Sequence, residues 1–508
     1  MGTCRLLTKF VLVSGAALLL SGAPLQVSAA SGPSVPSRLV VGVNASLTTL
    51  DPDMTGVISD ETILVNVFST LVNVGPHGKL VPSLAISWKP LSKLEWQFNL
   101  RRGVVFSDGE PFNAQAVKYS LDRILNPANH SPIQELSTYK TVKVVGPYTV
   151  DIITKVPDPL VPNNLTLFAG MMVPPAYIQK YGAAYFASHP VGTGPYVVKD
   201  WVKDDHITLI ANPRYWGPKP KIKTVVFRFI PDSADRIAAL LSGQVQLING
   251  VSPQAIPALE KNPQVKLLVS PGVRVDYISI AATHGPLANL LVRRALSYAV
   301  NTKVLIQKLL DGYGLPIGAP VARADFGYNP QVKPYPYNPA KARALLKEAG
   351  YPNGFHVTFT TVSLANYPQI AEAVANMWSQ IGVKATVKTL PFPEYWSLYV
   401  PGKLHAVWNL GYTLWQGDPI VLMATFFQSG QPRSRFSTPV VDKLIAQAQS
   451  SVTPSTRLKA LDRLDDVLHA DAPWIYLFQA EDIYAASKNL TWVPDLVETI
   501  PVSQAYFK

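Results

Sequence analysis

The sequence predicts a mixed α/β (α+β) protein, on three observations. Segments that alternate apolar and polar residues are interleaved with segments of helical period, and no repeat of fixed length runs through them. Apolar residues make up 48% of the 508 and charged residues 15%, with a mean hydropathy of +0.14, which is too apolar for a disordered chain. The 45 prolines, well above the usual share of about 5%, exclude an all-helical bundle and require many extended connections.

The first thirty residues read apart from the rest. Arg5 and Lys9 precede the apolar run 10–20, and Val27-Ser28-Ala29-Ala30 offers a small-residue cleavage site. That run is well short of the roughly 20 apolar residues needed to span a bilayer, so residues 1–30 are expected to be a cleaved signal peptide. The only cysteine, Cys4, stands before the run. No lipid-bearing cysteine marks the cut, and the exported chain has no thiol for a disulfide, a metal or thiol catalysis.

Expected strands follow in order at 38–44, 94–101, 149–154, 224–230, 245–249, 265–270 and 275–280, each alternating or β-branched. Between them, Asn113 caps a helix over 113–126 whose Val117, Leu121, Ile124 and Leu125 make one stripe. A second helix over 233–241 stops before Gly243. The later half repeats the grammar, with helices at 290–300, 304–310 and 340–349, the last begun by Asn338-Pro339 and ended by Gly350. A strand at 356–362 leads into a helix over 369–381, followed by strands at 384–390 and 405–412. Leu458, Leu461, Leu464, Val467 and Leu468 mark a helix closed by Pro473, and 474–479 reads as a strand.

The net charge of +12 raises the question of nucleic acid. The positives are scattered, however, and the densest set, Lys219, Lys221 and Lys223, has the period of one solvated strand face. No nucleic-acid partner is expected. Catalytic signatures are missing too: there is no His-Glu-x-x-His, Gly-x-Ser-x-Gly, P-loop or Gly-x-Gly-x-x-Gly. The eight histidines never come closer than 17 residues to one another, so no local metal cluster forms. Asp51-Pro52-Asp53-Met54-Thr55-Gly56 echoes a calcium loop, but Thr62 stands where the closing carboxylate belongs. No catalytic residue, metal or cofactor is expected.

What remains distinctive is aromatic. Pro391-Phe392-Pro393-Glu394-Tyr395-Trp396 and the stretch from Trp408 and Asn409 through Tyr412 and Trp415 to Asp418-Pro419 interleave rings with Gly and Pro, which suits a cleft wall.

Several ordered motifs carry a resemblance across essentially the whole exported chain. They are Leu50-Asp51-Pro52; Leu80-Val81-Pro82 with Trp88; Trp96-Gln97-Phe98 through Gly103 to Asp108-Gly109; Gly192-Thr193-Gly194-Pro195-Tyr196; Asn212 to Gly217; Val292-Arg293 to Asn301; and Ala340 to Tyr351. Together they resemble bacterial extracellular solute-binding proteins of family 5, the peptide/nickel type. The resemblance implies a two-lobed, hinged periplasmic-binding-protein architecture with an extra domain inserted in the first lobe. It implies segments 31–65, 188–272 and 481–508 for lobe I, 66–187 for the insert and 273–480 for lobe II. It implies a periplasmic, non-enzymatic subunit of an ABC importer. This subunit acts as a monomer, captures a peptide or other amine-bearing solute between its lobes and delivers it to an inner-membrane permease.

Ligand contacts are expected from Thr55, Gly56, Val57 and Ser59 on one side and Trp408, Asn409, Tyr412, Trp415 and Asp418 on the other, facing each other across the cleft. By the resemblance, Asp418 pairs with the ligand ammonium and Trp415 packs beside it. The chain departs from the dipeptide-binding pattern in one respect. No arginine lies between Arg343 and Arg433, so the carboxylate clamp is missing from its usual place. A longer peptide or another amine-bearing solute then fits better than a free dipeptide. Two alternatives stay within the family, a nickel or metallophore ligand reached by a histidine such as His405, and an oligosaccharide; a secreted hydrolase is the alternative outside it.

Overall fold

Strands and helices alternate along the chain and assemble around three main sheets. The computed structural model describes residues 37–75, 78–364 and 366–508, so the expected signal peptide 1–30 lies outside the described residues.

The first sheet has seven strands in the order Val265–Ser270, Asp482–Ser487, Leu247–Ile248, Arg38–Val43, Thr224–Phe229, His206–Ala211 and Tyr196–Val202. Arg38–Val43 runs parallel to Thr224–Phe229, with Arg38 opposite Thr224. Its alternation sends Leu39, Val41 and Val43 into one core with Val225 and Phe227. The second sheet has six strands, in the order Gly314–Pro316, Trp474–Ala480, Arg274–Ile280, Val407–Thr413, His356–Val362 and Lys384–Leu390. Trp474–Ala480 is buried at every residue, which accounts for its nearly unbroken apolar run. His356–Val362 and Lys384–Leu390 are parallel, and the helix Tyr367–Ser379 between them buries Ile370, Val374 and Trp378.

The third sheet is antiparallel throughout, in the order Ala85–Ser92, Glu95–Leu100, Thr149–Thr154 and Tyr139–Gly146. Trp96, Phe98 and Leu100 point inward and their neighbours do not. Against this sheet lies the helix Ala114–Leu125. Asn113 starts it by accepting from the Gln115 and Ala116 amides, and it buries Val117, Leu121 and Ile124. Each such side chain contributes about 1.5–3 kcal/mol.

The sheets thus form a first lobe, a second lobe and a domain inserted into the first. Arg123 of the inserted helix grips Asp51 and Asp53 of the first lobe with both guanidinium nitrogens. The backbone approach at Gly194 adds a second tie, because its amide donates to Val67 O at 2.8 Å and a Cβ there would lie 2.5 Å from the Val67 carbonyl carbon.

Two crossings join the lobes, Pro271-Gly272-Val273 and the single residue Glu481. They are stitched together. Gln479 Nε2 donates to Pro271 O at 2.7 Å and to Gly272 O at 2.9 Å.

One expected stripe is displaced. The helix Pro454–Asp471 buries Leu461, Leu464 and Leu468, but Leu458 is exposed. Arg457 takes the inward position one turn before Leu461, and its guanidinium reaches Asp418.

Candidate ligand cleft

A cleft of about 950 Å³ opens between the inserted domain and the second lobe. Residues 134–138 and 156–164 form one wall, and residues from Leu364 to Ser450 form the other.

The second-lobe wall is built by a strand and a short helix. Val407–Thr413 is buried over its first four residues and half-buried over Gly411, Tyr412 and Thr413, and these last three residues line the cleft. The helix Phe392–Tyr399, started by prolines at 391 and 393, splits its rings between two faces. Tyr395 and Tyr399 turn inward. The Tyr395 hydroxyl donates to Asn409 O at 2.9 Å, and Tyr399 shares a 3.2 Å hydroxyl contact with Tyr277. Phe392 and Trp396, one turn apart, stack at 5.4 Å on the outer face and stay 43% and 42% exposed at the cleft. Tyr412 meets the edge of Phe426 at 5.9 Å. Burial pushes its hydroxyl up to about 12, with Tyr399 and Glu135 adding and Arg433 opposing.

On the facing wall, Asp158 accepts from Thr138 Oγ1 and from the Leu160 amide, and burial raises its carboxyl above the usual range. Glu135 lines the same wall, half-buried. Arg433 comes from the loop after the helix Ile420–Phe427 and lies over the rings of Tyr399 and Phe426, at 5.4 and 5.2 Å.

Of the residues expected from the sequence, Tyr412 and Trp415 line this cleft. The Trp415 indole N–H has no acceptor among the described residues. Asp418 does not line the cleft. Its Oδ2 accepts from Arg457 Nη2 at 2.7 Å and its Oδ1 from the Ile420 amide, so neither oxygen is offered to a ligand cation. Burial raises its carboxyl, and Arg457 opposes that rise.

Trp408 and Asn409 do not line the cleft either, because the inward half of the strand carries them into the core, where Asn409 Nδ2 donates to Tyr367 O. Thr55 is buried and donates to Asp60 Oδ2 at 2.6 Å while accepting from the Val57 amide. Gly56 and Val57 are exposed, but no residue of 55–59 lines the larger cleft. Ser59 instead lines a cavity of about 430 Å³ beside the crossings, with Arg274, Tyr313 and Asp482. The two expected segments therefore do not share one cavity.

Sequence reasoning missed Glu135 and Arg433. The only signal for Arg433 was that it ends the arginine-free stretch.

Residues 79–434 match the bacterial extracellular solute-binding proteins, family 5 Middle. The chain belongs to that family. It is 32% identical over 477 residues to the glutathione-binding protein GsiB of Escherichia coli (strain K12), covering 90% of this chain and 92% of that one. Among solved structures, HbpA2 from Haemophilus parasuis is similar at a TM-score of 0.85 with 26% identity, over 93% of this chain and 100% of that one. The periplasmic binding protein DppA from Helicobacter pylori, associated with an ABC transporter and in complex with the peptide STSA, is similar at 0.75 with 25% identity, over 93% and 98%. The family 5 chain is thus a two-lobed solute-binding protein of the transport type, not an enzyme. Among the described residues, no helix is long and apolar enough to cross a membrane.

Proposed function

We propose that this family 5 protein captures a short peptide in the cleft between its inserted domain and second lobe and hands it to an ABC permease. The cleft carries the reading: it has the size of a small-ligand site, its walls are mainly apolar with six aromatic rings among them, and polar side chains are set between these. A relative named for glutathione and a neighbour holding STSA support a peptide. The metal alternative has less behind it. His405 is exposed and does not line the cleft, and among the described residues no group of three His, Cys, Asp or Glu side chains is placed to hold a metal.

In this reading lobe I comprises 31–65, 188–272 and 481–508, the insert 66–187 and lobe II 273–480. The protein works as a monomer in the periplasm after cleavage near Ala30, which the N-terminal mass of the exported form tests: it should begin at Ala30 or Ser31 and carry no lipid. The function is tested by native mass spectrometry of the purified protein with glutathione and a pool of peptides two to five residues long. One retained peptide per chain is expected. Retention of none would remove the reading.

A further inference from the structure

The charged groups on the cleft walls are few, and their partners separate them. Among the described residues lining the cleft, Arg433 is the only arginine or lysine, and Glu135 and Asp158 are the only acids. Asp158 is engaged with Thr138 and Leu160. Arg433 has no carboxylate within ion-pairing distance, and the Glu135 carboxylate has neither a cation nor a hydrogen-bond donor, among the described residues. The two sit on opposite walls, one from the inserted domain and one from the second lobe. Tyr412 lines the same cleft, and both charges act on its hydroxyl, Glu135 raising its pKa and Arg433 lowering it.

The environment of Arg433 favours a ligand over solvent. The guanidinium lies over the rings of Tyr399 and Phe426. A guanidinium resting on aromatic rings can still present N–H groups to a carboxylate in two parallel hydrogen bonds. The acid of the aromatic segment, Asp418, is bound by Arg457 and cannot take a ligand amine. Glu135 is the cleft acid that can.

We propose that Arg433 binds the C-terminal carboxylate of the captured peptide and Glu135 its amino group, so that a zwitterion spans the two walls. This rests on the peptide reading above. It fixes the direction of the peptide in the cleft and makes both charged ends necessary. It also moves the carboxylate clamp from the arginine-free stretch to the residue that closes it.

The test compares one equimolar tripeptide pool in three forms, free, C-amidated and N-acetylated, by native mass spectrometry and competition. The wild-type protein is expected to prefer the free pool over each blocked pool by about tenfold or more, as for loss of a buried charge partner. Arg433→Gln should erase the penalty for amidation and keep that for acetylation, and Glu135→Gln should do the reverse. Arg433→Lys should restore part of the carboxylate preference. Equal binding of free and amidated pools by the wild-type protein would overturn the role of Arg433 without using any variant. Equal binding of free and acetylated pools would overturn that of Glu135. If no free tripeptide is retained, the peptide reading itself fails and this inference falls with it.

Discussion

Arg457 donates from Nη2 to Oδ2 of Asp418 at 2.7 Å, with the two side chains only 7% and 1% exposed. The pair joins the helix Pro454–Asp471 to the turn that carries Trp415 into the cleft wall. Removing one member leaves a buried charge or donor without its partner, which costs about 3–5 kcal/mol. Asp418→Asn is therefore expected to lower stability in urea denaturation while peptide affinity, once corrected for the folded fraction, stays within about twofold. Full stability together with lost affinity would return Asp418 to the ligand.

Trp415 is the expected ligand contact that the fold leaves at the cleft. Trp415→Ala removes a large rigid surface and the orphan indole donor, so affinity should fall by about tenfold or more, in the manner of aromatic anchors. Any fluorescence change on peptide addition should shrink with it. Calorimetric titration checks the first effect, and an unchanged dissociation constant would place the ligand elsewhere.

Much of the fold was legible because it is local. The alternation in Glu95–Leu100 and the β-branched run of Thr149–Thr154 show the strands directly, and Asn113 announces the start of Ala114–Leu125. The aromatic wall was legible for the same reason, since Tyr412, Trp415 and Trp396 occur in two short stretches. The ionic part of the site was not. Whether Asp418 is free depends on Arg457, which lies 39 positions later and reaches it only when the helix Pro454–Asp471 folds back on the turn before Pro419. Glu135 and Arg433 belong to different domains, and no spacing in the sequence brings them to one cavity. Within Val407–Thr413 the rings look alike, yet the sheet buries Trp408 and leaves Tyr412 half-open.

At the lobe crossings, burial pushes the Asp482 carboxyl up to about 8, with Glu498 and Asp276 adding and Arg274 opposing. Its Oδ2 is buried without a hydrogen-bond donor. A carboxyl raised from its usual 3.8 holds a proton in the folded state that the unfolded state has lost. Its contribution is full below about pH 4 and disappears as pH rises to about 8. Tm of the wild-type protein should therefore decline over that window, and Asp482→Asn, which stays neutral, should flatten the decline. Parallel Tm–pH curves for the two proteins would exclude Asp482 as the source.

Gly272 sits at φ +61° in the first crossing, where a Cβ would lie 2.7 Å from Ala480 O and 3.0 Å from Asp482 Oδ2. Gly272→Ala forces either the left-handed backbone or the second crossing to give, at about 1–3 kcal/mol. In the hinged reading both crossings move when the lobes close, so the variant should show a smaller ligand-induced decrease in radius of gyration by small-angle scattering. A decrease equal to the wild-type one would mean that closure does not strain this contact.

The central claim is that a short peptide is held between the inserted domain and the second lobe. A crystal structure of the protein with a bound tripeptide tests it most directly. The account predicts peptide density in the cleft against Tyr412 and Trp415, with the carboxylate at Arg433 and the amino group at Glu135. Density in the smaller cavity beside Arg274 and Asp482, with the aromatic cleft left to solvent, would contradict it.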